Sequence, residues 1–170
     1  MRRVGGPPVT EPAVSVRAMT PAEFDSWQDE LAVEYAREHV TAGNWTEAEA
    51  LDRAREANAA LLPDGLATPG MLLLIGVLPD GSSIGRLWIG LTHPRGVAHC
   101  AFIYDIEVDA DRRGQGLGRA LLAAGERAAR ERGARALELN VFGANERAAT
   151  LYRTSGYQVV TQQMRKDLLA

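Results

Sequence analysis

Cysteine is all but missing from this sequence: Cys100 is the only one in 170 residues. One thiol can neither close an internal disulfide nor build a multi-cysteine metal site. Lysine is as scarce, with none before Lys166, so the Gly-Lys-Ser/Thr core of a nucleoside-triphosphate loop cannot form. No apolar run approaches the roughly 18 residues that span a membrane. Met1-Arg2-Arg3 is followed by Gly5-Gly6-Pro7-Pro8 and not by an apolar signal core. Excess positive charge is absent too. The formal net charge of −3 argues against a nucleic-acid partner, which would call for a basic face. The three histidines, at 39, 93 and 99, lack metal-ligand spacing. A cytoplasmic protein with no metal and no membrane or nucleic-acid partner is the expectation.

What is present suits one globular domain. Hydrophobic residues make up 46% and charged residues 24%, and the length suffices for a sizeable core. Residues 1–12 read as a flexible leader and 13–170 as the domain. Val14 to Arg17 alternates as a first strand. Thr20-Pro21-Ala22-Glu23 starts a helix, with Thr20 as N-cap, proline at the first helical position and Glu23 closing a capping box. That helix runs to about His39, and a second runs from Thr46 to Pro63. Met71 to Leu78 and Ser83 to Leu91 form a hairpin around Pro79-Asp80-Gly81-Ser82. Ala98 to Val108 is the longest strand. It leads through a glycine-rich loop into a helix over about Gly116 to Arg132. A strand over Ala136 to Val141, a short helix over Asn145 to Thr154 and a last strand over Tyr157 to Arg165 complete the chain. The order β-α-α-β-β-β-α-β-α-β predicts a mixed α/β sheet with one parallel crossover, not an alternating doubly wound one.

Charge is spread unevenly. Ten acids face three arginines between Ala22 and Asn58, whereas seven arginines face three acids from Asp111 to Arg135. This division suits an anionic cofactor and a cationic second substrate. It equally suits two solvated helix faces.

The stretch Tyr104 to Arg119 organises the rest. Gly114, Gly116 and Gly118 allow backbone amides to converge with no Cβ in the way. At a helix start these amides carry partial positive charge and lack intrahelical partners, which suits a phosphate. Arg112, Arg113 and Arg119 add formal charge nearby. The dinucleotide fingerprint fails here, because its last glycine would fall on Arg119 or Leu121.

Arg113-Gly114-Gln115-Gly116-Leu117-Gly118 instead resembles the acyl-CoA signature [Gln/Arg]-x-x-Gly-x-[Gly/Ala] of the GNAT superfamily of N-acetyltransferases. Asn145 to Tyr157 is similar to that family's Asn-x-x-Ala-x-x-Leu-Tyr-x-x-x-Gly-[Phe/Tyr] segment, in the expected order and spacing. The resemblance implies acetyl-CoA as cosubstrate. Its pantetheine arm would lie between two splayed parallel strands, along the backbone of Ile106 and Val108. The pyrophosphate would sit on Arg113, Gly114, Gln115, Gly116 and Gly118, with Arg119 adjacent and Asn145 across the arm. A primary amine would attack the thioester directly, in a ternary complex. By the same resemblance Tyr152 would be the general acid toward the leaving thiolate. Glu107, beside the arm-binding segment, is the first choice of base, and Asp105 shares its face if the strand between them is regular. Some relatives that acetylate protein N-termini carry a glutamate base where this chain has Asn140.

A small cationic metabolite or antibiotic is the expected acceptor. A protein or peptide N-terminus, or a non-catalytic acyl-CoA sensor, is the alternative. Trp27, Glu34, Tyr35 and Glu38 border the acceptor side in this reading. Cys100 and His99, as strand neighbours, would point opposite ways. Dimers are common in the family, and a homodimer stays open.

Overall fold

The computed structural model describes residues 12–169, so all of the expected leader except Pro12 lies outside the described residues. Five strands form one sheet in sequence order: β1 (Ser15–Ala18), β2 (Met71–Val77), β3 (Ser83–Gly90), β4 (Cys100–Val108) and β5 (Ala136–Leu139). The first four pair antiparallel, and β4 with β5 is the single parallel pair. The mixed α/β class expected from the element order is what the fold shows.

The helices cover both faces. On one side lie α1 (Pro21–Thr41) and α2 (Glu47–Leu61); on the other lies α3 (Leu117–Glu131). The apolar run of β2 is explained by this sandwich. Leu72 and Leu74 join Leu87, Ile89, Ile103 and Leu122 under α3. The alternate residues Leu73 and Ile75 join Trp27, Leu31 and Trp88 under α1. Every residue of such a strand gains from burial, so alternation vanishes from the sequence. Within the α1 layer Trp27 and Trp88 meet edge to face at 5.5 Å, a geometry worth about 0.5–1.5 kcal/mol beyond area. The hairpin of α1 and α2 closes on small residues, Ala32, Ala36, Ala50 and Ala54.

The expected capping box holds α1 at its start. Thr20 Oγ1 accepts from the Glu23 amide at 3.3 Å, and Glu23 accepts from the Thr20 amide at 2.8 Å. The last helix, α4 (Glu146–Thr154), is capped by Asn145, whose Oδ1 accepts from the Ala148 amide at 3.1 Å. No described helix is long and apolar enough to cross a membrane.

One expected element does not form. Tyr157 to Arg165 makes no ladder pairing among the described residues. Arg165, at the end of this stretch, lies against the helical hairpin. Its guanidinium donates to Ala42 O (2.9 Å), Gly43 O (3.1 Å) and Asn44 Oδ1 (2.6 Å) at the α1–α2 turn.

Candidate active site

Strand β5 pairs with β4 only from Cys100 to Ile103. Beyond that point β4 continues to Val108 with β3 as its sole partner, so a gap opens on its other side. Antiparallel ladder groups alternate, and the Asp109 amide donates to Ile84 O at 2.9 Å on the β3 side. The backbone groups of Ile106 and Val108 therefore face the gap. Arg113 Nε already donates to Val108 O there, at 3.1 Å.

A bulge decides which side chains accompany this edge. Trp88 pairs with Asp105 and Ile89 with Ile103, leaving Tyr104 as the extra residue. Ile103 points into the α3 core. In a regular strand Asp105 and Glu107 would follow it there. The bulge turns them to the α1 face instead, and because it precedes both, they stay on one side together.

The bulge brings together a constellation centred on Arg86. Its guanidinium binds Asp105 (3.0 Å), Glu107 (2.5 Å), Glu34 (2.7 Å) and Glu30 (3.1 Å) and is only 12% exposed. Glu30, Glu34 and Glu38 recur every four residues, which aligns them on one face of α1. Trp27 Nε1 donates to Asp105 at 3.0 Å. Glu107 has both oxygens taken, since Arg113 binds the second at 2.6 Å. Burial pushes Glu34 up to about 7, against the pull of Arg86 and with help from Glu107 and Asp105. Burial also raises Asp105, opposed by Arg86, and raises Glu38, with Asp105 adding to it. Beside this cluster lies a cleft of about 340 Å³ lined by Glu23, Trp27, Glu30, Arg86 and Asp109.

The sequence reading missed Arg86. A cation in the middle of the apolar run Ile84 to Ile89 was the available signal, because a charge cannot be buried without partners.

The glycine loop has the backbone an anion site needs. Gly114 (φ 78°) and Gly116 (φ 76°) are left-handed, and a Cβ at either would meet no protein atom within 4 Å. Gly116 is the N-cap of α3, whose first internal bond is Ala120 N to Gly116 O at 3.3 Å. The amides of Leu117, Gly118 and Arg119 thus lack i−4 partners. Two of the arginines are engaged elsewhere. Arg113 folds back on β4, and Arg119 donates to Thr154 O (2.8 Å), Thr154 Oγ1 (2.7 Å) and Ser155 Oγ (3.0 Å), tying α3 to the end of α4. Arg113 is neutralised by Glu107, whereas Arg119 bonds only neutral groups and keeps its charge beside the amides of the cradle.

Tyr152, on α4, is half-buried beside Tyr157, with ring centroids 5.8 Å apart. Burial, then the charges of Asp105 and Glu38, push its phenol up to about 12. Tyr152 thus shares Asp105 with Arg86 and adds Glu38 from the same face of α1. Of the expected acceptor wall, Trp27 is buried as an anchor for Asp105. Tyr35 packs edge to face on His39 and Trp45, and His39 meets Phe142 from the β5–α4 loop at 5.3 Å. At the far end of the sheet His99 lies outside β4 in a left-handed conformation (φ 55°). The neighbours that matter to buried Cys100 are His93 and Glu138. The Arg95 amide donates to His93 Nδ1 (3.1 Å), so the ring proton is on Nε2, facing Glu138 at 2.9 Å.

Known proteins point the same way. The model of the acetyltransferase (GNAT) family matches residues 24–157. The uncharacterized N-acetyltransferase YycN of Bacillus subtilis is 36% identical over 91% of this chain and 99% of its own length. Its crystal structure superposes with a TM-score of 0.85 over 92% of this chain and 99% of that one. A mycothiol acetyltransferase of Cellulomonas flavigena is 32% identical over 89% of this chain, which spans 42% of that longer protein. AAC(6')-Iy, solved with a bisubstrate analogue of CoA and acetylneamine, shares the fold at 18% identity and a TM-score of 0.58, covering 91% of this chain and 97% of that one.

Proposed function

The chain belongs to the acetyltransferase (GNAT) family of acyltransferases, and on that premise we propose that it moves an acetyl group from acetyl-CoA to a small cationic amine. The observation that carries the acceptor class is the carboxylate constellation. Glu30, Glu34, Asp105 and Glu107 surround Arg86, with Glu38 on the same helix face and Arg113 on Glu107. Five acids against Arg86, Arg113 and, near Glu38, Arg37 leave an excess of carboxylates beside the open edge of β4. Such a surface attracts ammonium groups and repels anions.

The residues present fit acetyl-CoA. The left-handed Gly114 and Gly116, with the amides of Gln115, Leu117 and Gly118, suit its pyrophosphate. The outward backbone of Ile106 and Val108 suits the amides of its arm as an added strand. When bound, acetyl-CoA supplies an activated acetyl thioester. An amine arriving at neutral pH carries a proton that must leave before nitrogen can attack. Glu34 suits that task, because a carboxylate pushed up to about 7 both accepts and releases a proton near neutrality. Glu107, expected as the base, is held at both oxygens and serves better as a brace between Arg86 and Arg113. Tyr152 keeps its proton throughout the working range and offers it toward the leaving sulfur. Asn145 spends its side-chain oxygen on capping α4, which fixes the helix that carries Tyr152.

Thiol release from acetyl-CoA, followed across a panel of amines, tests the proposal. Turnover is expected with multiply charged small amines, with KM rising as salt screens the site. Preference for peptide N-termini would move the function to protein acetylation. Tight CoA binding with no turnover on any amine would mark a sensor.

A further inference from the structure

Helix α4 bears Tyr152, yet it is only nine residues long and none of them is fully buried. A helix that short is marginal by itself in water, so contacts at its two ends set its position. Asn145 caps the start. The other end is gripped from the first turn of α3. Arg119 Nη1 donates to Thr154 O (2.8 Å) and Ser155 Oγ (3.0 Å), and Nη2 donates to Thr154 Oγ1 (2.7 Å). The Thr154 hydroxyl passes its own proton to Thr150 O at 2.8 Å, on the turn that contains Tyr152. A guanidinium here meets carbonyl groups that a helix end leaves without partners. Leu151 packs over Gly118, where an added Cβ would lie 3.5 Å from its Cδ2. Further along α3, Glu126 accepts from the Tyr157 hydroxyl at 3.1 Å.

We propose that Arg119 is a positioning residue for Tyr152. It makes one body of the α3 turn whose amides suit the pyrophosphate and the helix that carries the acid. Docking of the cofactor on that turn then fixes the acid as well. The role rests on the reading of Tyr152 as general acid. Two nitrogens of Arg119 make three bonds, all to neutral groups at the end of α4. The contact is therefore directional, and it uses the planar fork of the guanidinium. Lysine offers a compact ammonium on a flexible stem and cannot copy it. A misplacement of about 1 Å near the chemistry can cost about 10²-fold in rate, so a loosened α4 is read in kcat.

Hydrogen exchange of the full chain, with and without CoA, reads this coupling apart from turnover. In the wild type CoA should slow exchange at residues 149–152 as well as at residues 117–119. In Arg119→Ala the protection should stay on α3 and vanish from α4, with a cooperative melt kept. Thr154→Val/Ser155→Ala removes two acceptors and leaves the guanidinium in place. It should act in the same direction, and it serves if Arg119→Ala fails to fold. With acetyl-CoA and an accepted amine, Arg119→Ala should lower kcat by about 10²-fold and leave CoA affinity within about threefold. Arg119→Lys should not recover the rate. In a Tyr152→Phe background Arg119→Ala should cost little more, because both act through one group. Protection of α4 that survives Arg119→Ala, or losses that add in full, would overturn the proposal. So would recovery by lysine, which would make Arg119 a counter-charge for phosphate. Tyr152→Phe at wild-type kcat would remove the acid assignment itself, and the proposal with it.

Discussion

At the scale of single residues, Glu34 and Tyr152 carry the clearest chemical consequences. Glu34 is pushed up to about 7, so the fraction able to accept a proton grows as pH rises through neutrality. In Glu34→Gln, kcat should fall by about 10²–10⁴-fold and lose the rising limb near pH 7. A variant with the wild-type kcat profile would shift the base to Asp105 or to water. Tyr152→Phe removes a donor whose proton is secure to about pH 12. It should lower kcat by a comparable factor and leave acetyl-CoA affinity within about twofold, read by single-turnover rates and CoA titration. Glu23 acts in the opposite pH direction. Its bond to Arg17, the largest influence, holds it down to about 2. The stability it adds is present above pH 4.5 and lost as pH falls toward 2. The pair is solvent-exposed, so the effect stays below about 1 kcal/mol.

At the scale of elements, the loop leading into α3 depends on backbone conformation more than on charged side chains. Gly116 sits at φ 76°, where asparagine and aspartate are tolerated better than other L-residues. Gly116→Asn and Gly116→Asp should therefore fold alike and differ in charge. The aspartate variant should bind acetyl-CoA at least about tenfold more weakly than the asparagine one, or 1.4 kcal/mol, measured by calorimetry. Equal affinities would mean that the pyrophosphate does not lie on this loop. The bulge at Tyr104 is the matching device on β4. One extra residue takes Asp105 and Glu107 out of the α3 core and sets them against Arg86.

At the scale of the whole molecule, Arg86 joins α1, β3 and β4 through four carboxylates. Removing one partner of a buried ionic network leaves uncompensated charge and costs about 3–5 kcal/mol. Arg86→Met should lower the unfolding free energy by that order, with Tm falling accordingly, and the loss should depend on pH. The folded state raises Glu34 from 4.5 to about 7 and raises Asp105 in the same direction. Their contribution is full below pH 4.5 and is lost as pH rises through about 7. Without Arg86 the repulsion among ionised carboxylates is larger, so the gap in Tm between variant and wild type should be wider at pH 8 than at pH 5. An equal gap at both would mean that the carboxylates do not act as a network.

Most elements were legible in the residues themselves because their causes are local. Thr20-Pro21-Ala22-Glu23 specifies a helix start within four residues. Gly114 and Gly116 specify a left-handed loop, and the run of β2 specifies burial on two faces. The two motifs ending at Gly118 and Tyr157 identify the family, since both lie inside the matched residues 24–157. Tertiary structure alone decided the rest. Nothing near Arg86 in the sequence names its four partners, which come from positions 30, 34, 105 and 107. Nothing near Tyr157 says that Arg165 will bind a turn more than 120 residues away, or that the last expected strand will stay unpaired. Capping, turn geometry and periodicity act between residues a few positions apart, so a sequence displays them. Ion pairing, the face chosen by a bulge and the partner of an edge strand act through space, and only the folded chain brings those groups within reach.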